Sequence, residues 1–177
     1  TYSIITNIDR EHMDYYKTMD NLKELFKKFL EKVPSFGKSF ICNDDKINRE
    51  IIKKLKNKNF YTYGTKYNSN FQINNILQNK NFSKFNLKIL MPGKKKFFIK
   101  NIKIPILGMH NIRNATAAIA VAITIGISSN IVKKGLLTFK GVQRRFNKIF
   151  TFKGVDYYDD YAHHPSEIKE VLNGVRT

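Results

Sequence analysis

Three short polar clusters carry most of the side chains in this 177-residue sequence that could do chemistry. The first is Asp9, Glu11, His12 and Asp14, within the run NIDREHMD. Carboxylates and an imidazole at this density can hold a divalent cation, although magnesium would mostly take oxygen ligands. The same residues also suit a capped, solvated loop. The second is His110, Asn111, Arg113 and Asn114. Asparagine amides can read a purine edge with two hydrogen bonds, and asparagine is equally a helix cap. The third joins Arg144, Arg145 and Phe146 to the segment DDYAHHP at 159–165. Paired arginines can clamp phosphate, and an aspartate at a strand end can bond a ribose hydroxyl. His163 and His164 could ligate a metal. Consecutive side chains on a strand point to opposite faces, however, so a two-histidine zinc site is the poorer reading. The sequence has no Cys-x-x-Cys, His-Glu-x-x-His or Gly-x-Ser-x-Gly.

Each cluster falls where a strand or linker meets the start of a helix, the place where α/β folds bind ligands. Residues 2–8 read as a β-rich run ahead of the first cluster. Leu22, Leu25, Phe26, Phe29, Leu30 and Val33 then repeat with helical spacing, as one apolar face. Thr18 or Asp20 could cap that helix, and Pro34 with Gly37 would end it. Strands are expected at 38–42 and 59–63, closed by Gly64, with a helix at 45–56 between them. Three β-leaning runs follow at 71–78, 84–91 and 96–102, with Pro92-Gly93 a strong turn signal. They read as a small antiparallel element inserted in or appended to an α/β domain. The second cluster leads directly into an Ala-rich helix at 115–125 that Gly126 terminates. Ser128 or Ser129 caps the next helix, which reaches about residue 138. Residues 141–146 look like a linker. Strand-like runs at 148–153 and 155–159 precede the third cluster, and a last helix opens at Ser166. There is no internal repeat and no low-complexity tract.

Hydrophobic residues make up 42% of the chain and aromatic ones 13%. That suffices for one sizeable core, or for a domain plus part of another. The longest apolar stretch, 115–127, is broken by Thr116, Thr124 and Gly126 and is too short and mixed to span a bilayer. No signal peptide opens the chain. The lone Cys42 excludes an internal disulfide, fits a reducing compartment, and reads as a small apolar residue in a strand. The formal charge of +18 admits a nucleic-acid binder. Lysine, asparagine and isoleucine are nevertheless abundant throughout, as AT-rich coding would give. The lysines spread through Lys27, Lys28, Lys53, Lys54, Lys56, Lys58 and Lys94 to Lys96, with no single stripe. A solvated face is the reading adopted, one that would also draw in anionic nucleotides.

The segments TNIDREHMDYY (6–16), YTYG (61–64), GMHNIRNATAAIAVA (108–122), FKGVQRRF (139–146) and DDYAHHPSEI (159–168) together resemble the Mur ligase family. Within it they are most similar to the L-alanine-adding ligases. The resemblance covers essentially the whole chain, in order and spacing. It implies an α/β fold. A partial central ATP-binding domain, a mixed sheet flanked by helices with the small antiparallel element, is expected over 1–140. The start of a Rossmann-like C-terminal domain is expected over 141–177. It also implies ATP and Mg²⁺ as cofactors, UDP-N-acetylmuramate and L-alanine as further partners, and a cytoplasmic setting without nucleic acid or membrane.

By the same resemblance His12 matches a histidine that helps hold a magnesium ion near the reacting carboxylate. Asn111 and Asn114 match asparagines of the ATP site, the first at the adenine. Arg145 matches an arginine that reaches the ATP phosphates from the domain junction. Asp159 or Asp160 matches an aspartate at the nucleotide, with Tyr161 and His163 lining the closed site. A phosphate loop with its lysine and a magnesium-binding glutamate would precede Thr1. Both ends read as cut through structure, so the chain is expected to be a piece of a three-domain enzyme and inactive alone. A muropeptide-recycling ligase of the same family and a non-catalytic basic nucleic-acid-binding module are the alternatives.

Overall fold

The computed structural model describes residues 1–56, 59–79 and 81–176. Lys58 and the chain end at Thr177 lie outside these described residues. The order of elements is β1 (Tyr2–Ile5), α1 (Met13–Tyr16), α2 (Met19–Glu31), β2 (Lys38–Cys42), α3 (Lys46–Lys54) and β3 (Phe60–Gly64). Then come β4 (Phe71–Asn79), β5 (Phe82–Ile89), β6 (Phe97–Ile104), α4 (Met109–Thr124) and α5 (Ser129–Leu137). β7 (Asn147–Phe152), β8 (Val155–Asp159) and α6 (Pro165–Val175) complete it.

Six strands form one mixed sheet in the order β1-β2-β3-β4-β5-β6. β1, β2 and β3 pair in parallel. β2 is buried on both faces, as a central parallel strand should be. Its alternating side chains feed two cores. Ile41 joins Ile5, Leu22, Leu30, Ile51 and Leu55 on the side of α2 and α3. Phe40 and Cys42 join Tyr63, Ile112, Ala117 and Ile119 on the side of α4. Cys42 is thus the small buried strand residue its sequence context suggested.

The three β-leaning runs form the expected antiparallel element, appended to the parallel strands in one continuous sheet. β4 meets β3 in a short parallel contact, Tyr63 opposite Phe71 and Gly64 opposite Gln72, and continues antiparallel through β5 and β6. Asn70 extends the contact, its Oδ1 accepting from Thr62 N at 2.8 Å and from Thr62 Oγ1 at 3.0 Å. One face of these strands, with Phe71, Ile73, Phe85, Leu87, Ile89 and Ile104, enters the α4 core. The other face is open. Lys84 and Lys103 stand opposite each other there, with Lys88 two alternations further along β5. The charge is therefore less evenly spread than the run of lysines suggested: no acidic residue lies between Glu50 and Asp156. β7 and β8 form a separate two-stranded hairpin.

The caps largely follow the sequence. Thr18 Oγ1 accepts from Asn21 N at 3.2 Å at the start of α2, and Ser128 caps α5. The α2 stripe is wider than the surface it meets: Leu22, Leu30 and Val33 are buried, whereas Leu25 and Phe29 stay exposed. α4 departs further from expectation. It begins at Met109 behind Gly108, so the second polar cluster lies inside its first turns rather than ahead of it. None of the helices among the described residues is long and apolar enough to cross a membrane.

Phe85, fully buried in the middle of the antiparallel strands, is the point where core and sheet are tied together. Phe85→Ala should lower the unfolding free energy by about 3–5 kcal/mol, read by urea denaturation; a loss below about 1 kcal/mol would mean that the strand is not packed in this register.

Candidate functional site

The carboxyl ends of the parallel strands are drawn together by polar side chains. Asn48, buried in α3, donates through Nδ2 to Thr6 O (3.2 Å) and Cys42 O (3.0 Å), fixing the exits of β1 and β2. The buried Tyr63 hydroxyl donates to Ile5 O at 3.3 Å. Burial pushes that phenol's pKa well up, so it stays a neutral donor.

Asp44, just beyond β2, has a side chain only 9% exposed. Its Oδ1 accepts from Thr65 N (2.8 Å), Thr65 Oγ1 (3.0 Å) and Lys66 N (3.2 Å) beyond β3. Its Oδ2 accepts from Arg113 Nε of α4 at 2.9 Å. Burial alone would raise the Asp44 pKa, but the bonds from Arg113 and Thr65 outweigh it and hold the carboxyl below its ordinary value. Gly64 makes room for this approach. Its φ is +142°, and a Cβ there would stand 2.6 Å from Asp44 Oδ1. Sequence reasoning noted Arg113 but missed Asp44. The signal was present, since Asn43-Asp44-Asp45 has the same strand-to-helix layout as the three clusters. Asp45 provides the cap of α3, accepting from Asn48 N at 2.7 Å.

The first and third clusters meet around the start of α6, and the second lies beside its later turns. Asp9 Oδ2 accepts from Ser166 Oγ at 2.5 Å and lies 3.9 Å from His164 Nδ1. The Ser166 hydroxyl, with the Arg10 N–H and His164, holds the Asp9 carboxyl below its usual range. Glu11 Oε1 is 3.9 Å from His163 Nε2. His12 is exposed and sits in the left-handed region, φ 54°, before α1. Its carbonyl accepts from Tyr15 N and Tyr16 N. The two histidines do not lie on a strand: His164 caps α6, and the His163 ring packs edge-on to Tyr161 at 5.2 Å. Among the described residues no group of three or more His, Cys, Asp or Glu side chains is placed to hold a metal.

Asn111 does not cap α4. Its Nδ2 donates to Leu107 O at 2.6 Å, while Asn114 is exposed one turn on. His110 is largely enclosed, and its Nδ1 is buried without a hydrogen-bond partner. Burial pushes its pKa down, so the ring is neutral near pH 7 despite the charges of Glu170 and Asp160. Gly108 and Gly174 pack backbone against backbone where α6 crosses α4; a Cβ on Gly174 would lie 3.6 Å from Gly108 Cα. A cleft of about 230 Å³ opens beside them, lined by Gln78, Met109, Arg113, Glu170 and Asn173.

In the third cluster Arg144 Nε is 3.7 Å from Asp159, and Arg145 Nη1 is 3.5 Å from Glu167 Oε1. Burial would raise the Glu167 pKa. The backbone N–H groups of His163 and His164, with Arg145, outweigh it and hold the carboxyl low.

The model of the Mur ligase middle domain matches residues 1–122 of this chain. The chain belongs to the Mur ligase family. Among Mur ligases it is 69% identical over 176 residues to the UDP-N-acetylmuramate–L-alanine ligase of Pelagibacter ubique (strain HTCC1062), covering 99% of this chain and 38% of that protein. The like-named ligase of Bartonella tribocorum is 37% identical over 177 residues, covering 98% of this chain and 37% of its own length. The chain thus spans well under half the length of the curated relatives it matches. Two solved Mur ligase structures share the fold. MurF from Acinetobacter baumannii superposes with a TM-score of 0.80 at 23% identity, over 98% of this chain and 37% of that one. The UDP-N-acetylmuramate–alanine ligase MurC from Thermotoga maritima gives 0.76 at 24% identity, over 99% of this chain and 38% of that one.

The Asp44 network has a pH signature. Its folded-state carboxyl titrates below the unfolded value of about 3.9. Its stabilising contribution is therefore complete above that pH and is lost as pH falls through the folded-state value. Asp44→Asn should cost about 1.5–3 kcal/mol at pH 7, the usual size for hydrogen bonds to a charged group. The gap from wild type should close as denaturation is repeated toward pH 2. A gap independent of pH would mean that the ionised carboxylate is not what holds the strand ends.

Proposed function

We propose that this chain is the part of an ATP-dependent UDP-N-acetylmuramate–L-alanine ligase that carries the nucleotide end of the active site. The observation that carries the reading is the near end-to-end match, at 69% identity, to a ligase of that name. The meeting of the first and third clusters around the first turn of α6 supports it. Residues 1–140 would belong to the central ATP-binding domain and 141–177 to the opening of the C-terminal domain. The setting would be the cytoplasm, which the single buried Cys42 suits.

In this reading the muramate carboxylate attacks the γ-phosphorus of ATP, giving an acyl phosphate and ADP. The amine of L-alanine then attacks the acyl carbon, phosphate leaves with the C–O bonding pair, and the amine loses a proton. Asn111 and Asn114, on the first turns of α4, would lie in the ATP site, the first of them at the adenine. The amide nitrogen of Asn111 is engaged by Leu107 O, so its Oδ1 is the atom free to accept from the adenine amino group. Arg145 would meet the phosphates, neutralising the charge that develops on the transferred oxygens. Asp159 or Asp160 would bind at the nucleotide, and Tyr161 and His163 would line the closed site. Magnesium belongs to the same reading, with His12 as one ligand. The described residues do not form a metal cage by themselves, and no step here depends on the ion.

A protein with the full length of its relatives, carrying this chain, should consume ATP only when both UDP-N-acetylmuramate and L-alanine are present; turnover with a tripeptide but not with L-alanine would favour the recycling ligase instead. Arg145→Ala should lower kcat by roughly 10³-fold or more, the scale set by phosphate-binding arginine fingers. The 177-residue chain alone should not turn over ATP, and clear magnesium-dependent hydrolysis by it would contradict the reading. Nucleic acid has no place in this function. The open lysine face of β5 and β6 should release RNA at physiological salt, as screened phosphate contacts do; binding that survives there would favour the nucleic-acid alternative.

A further inference from the structure

The open face of β4, β5 and β6 is built in rows that the strand register fixes. At one end Gln72, Lys88 and Phe98 stand side by side across the three strands. At the other end Leu77, Lys84 and Lys103 do the same. Between the two rows Asn74 faces Asn86, whose Oδ1 accepts from Asn101 N at 2.8 Å. Lys84 and Lys88 are separated along β5 by about 13 Å at ordinary strand rise. Three lysines lie over aromatic rings. Lys88 Nζ is 4.8 Å from the Tyr67 centroid, Lys103 Nζ is 4.0 Å from that of Phe82, and Lys96 Nζ is 5.6 Å from that of Phe98. From Ile51 to Val155 the chain has no Asp or Glu, so these strands bring no carboxylate of their own to the face. Leu77 and Phe98, one in each row, are 56% and 50% exposed.

We propose that this face docks the full-length protein on an anionic lipid surface, with the ammonium groups at the headgroups and Leu77 and Phe98 entering the interface at either end. The docking is independent of the nucleotide site. It departs from the membrane-free setting that the family resemblance implies, and it requires a face that lies on the bilayer, not a helix that crosses it. Clustered lysines answer the negative potential of an anionic leaflet, and the apolar side chains beside them gain by burial in the interface. Other occupants fit less well. A second copy of this chain would bring the same positive charge and be repelled. A stable protein interface needs a desolvated apolar centre, and the centre of this face is the amides of Asn74, Asn86 and Asn101. Single-stranded nucleic acid stacks its bases on open ring faces, whereas these rings already carry ammonium groups. Lysine is also a point charge without the guanidinium fork that grips one phosphate at two oxygens, which suits a plane of many headgroups better than a single fixed site.

The test is sedimentation of the full-length protein with vesicles at about 0.15 M salt, where charges are screened beyond about 8 Å. Phosphatidylcholine vesicles carrying about 30% phosphatidylglycerol should pellet the protein, and pure phosphatidylcholine vesicles should not. Each lysine should contribute about fivefold to the vesicle partition coefficient, so K84Q/K88Q/K103Q should weaken it by about a hundredfold. K134Q/K140Q/K153Q removes the same charge between α5 and the hairpin turn, and should leave it within about twofold if the face and not the net charge is what docks. L77S/F98S should weaken binding by about tenfold without altering its salt dependence, because it removes apolar burial and no charge. Urea midpoints equal to that of the unmodified protein show that the variants are folded. Should K84Q/K88Q/K103Q not fold, the two lipid compositions compared on the unmodified protein decide alone. No pelleting with anionic vesicles, equal pelleting with both lipids, or an equal loss in K134Q/K140Q/K153Q would overturn the proposal. So would RNA or poly-glutamate holding the protein at that salt while the anionic vesicles do not.

Discussion

The Asp44 carboxylate takes four hydrogen bonds from two places that the chain reaches at different times, the turn after β3 and the first turns of α4. A buried carboxylate is tolerable only when its oxygens are satisfied, so the geometry around it is narrowly set. β3 must end in a residue without a Cβ, and Gly64 supplies it. Arg113 must face back toward the sheet, which sets the rotation of α4 about its axis. That rotation in turn fixes where Asn111 and Asn114 stand. The residues that would touch nucleotide are therefore placed by one that would not.

A second constraint acts where α6 crosses α4. Gly108 and Gly174 let the two backbones approach closely. The start of α6 is thereby brought over the loop after β1, where Ser166 and His164 meet Asp9, and His163 meets Glu11. The joint is polar and its charged members are largely exposed, unlike the apolar cores on either side of the sheet. Contacts of that kind hold a geometry without making it permanent.

Much of this was legible in the sequence because the determinants are local. Helical spacing, the Thr18 and Ser128 caps and the Pro92-Gly93 turn act within a few residues, and the elements followed. The polar clusters were visible because each gathers several ionisable or amide side chains within a few residues. What was not legible depends on distant partners. That β4 to β6 continue the parallel sheet rests on Thr62 and Asn70 finding each other, which no local pattern specifies. The early start of α4 follows from Gly108 providing the turn, so the cluster at 110–114 became helix instead of cap. Asp44 was overlooked because its partners are 21 and 69 residues away. That Asp160 takes the backbone N–H groups of Phe146 and Ala162 depends on the path of the linker, which no local pattern specifies.

The central claim is that the strand-end site, anchored by Asp44 and closed by α6, is where an adenine nucleotide binds. Photolabelling the full-length protein with an azido-adenine nucleotide, followed by peptide mapping, tests it directly. The label should fall on the peptide containing residues 108–114 and be displaced by excess ATP. Label confined to the lysine-bearing strands β5 and β6, or on 108–114 but not displaced by ATP, would contradict it.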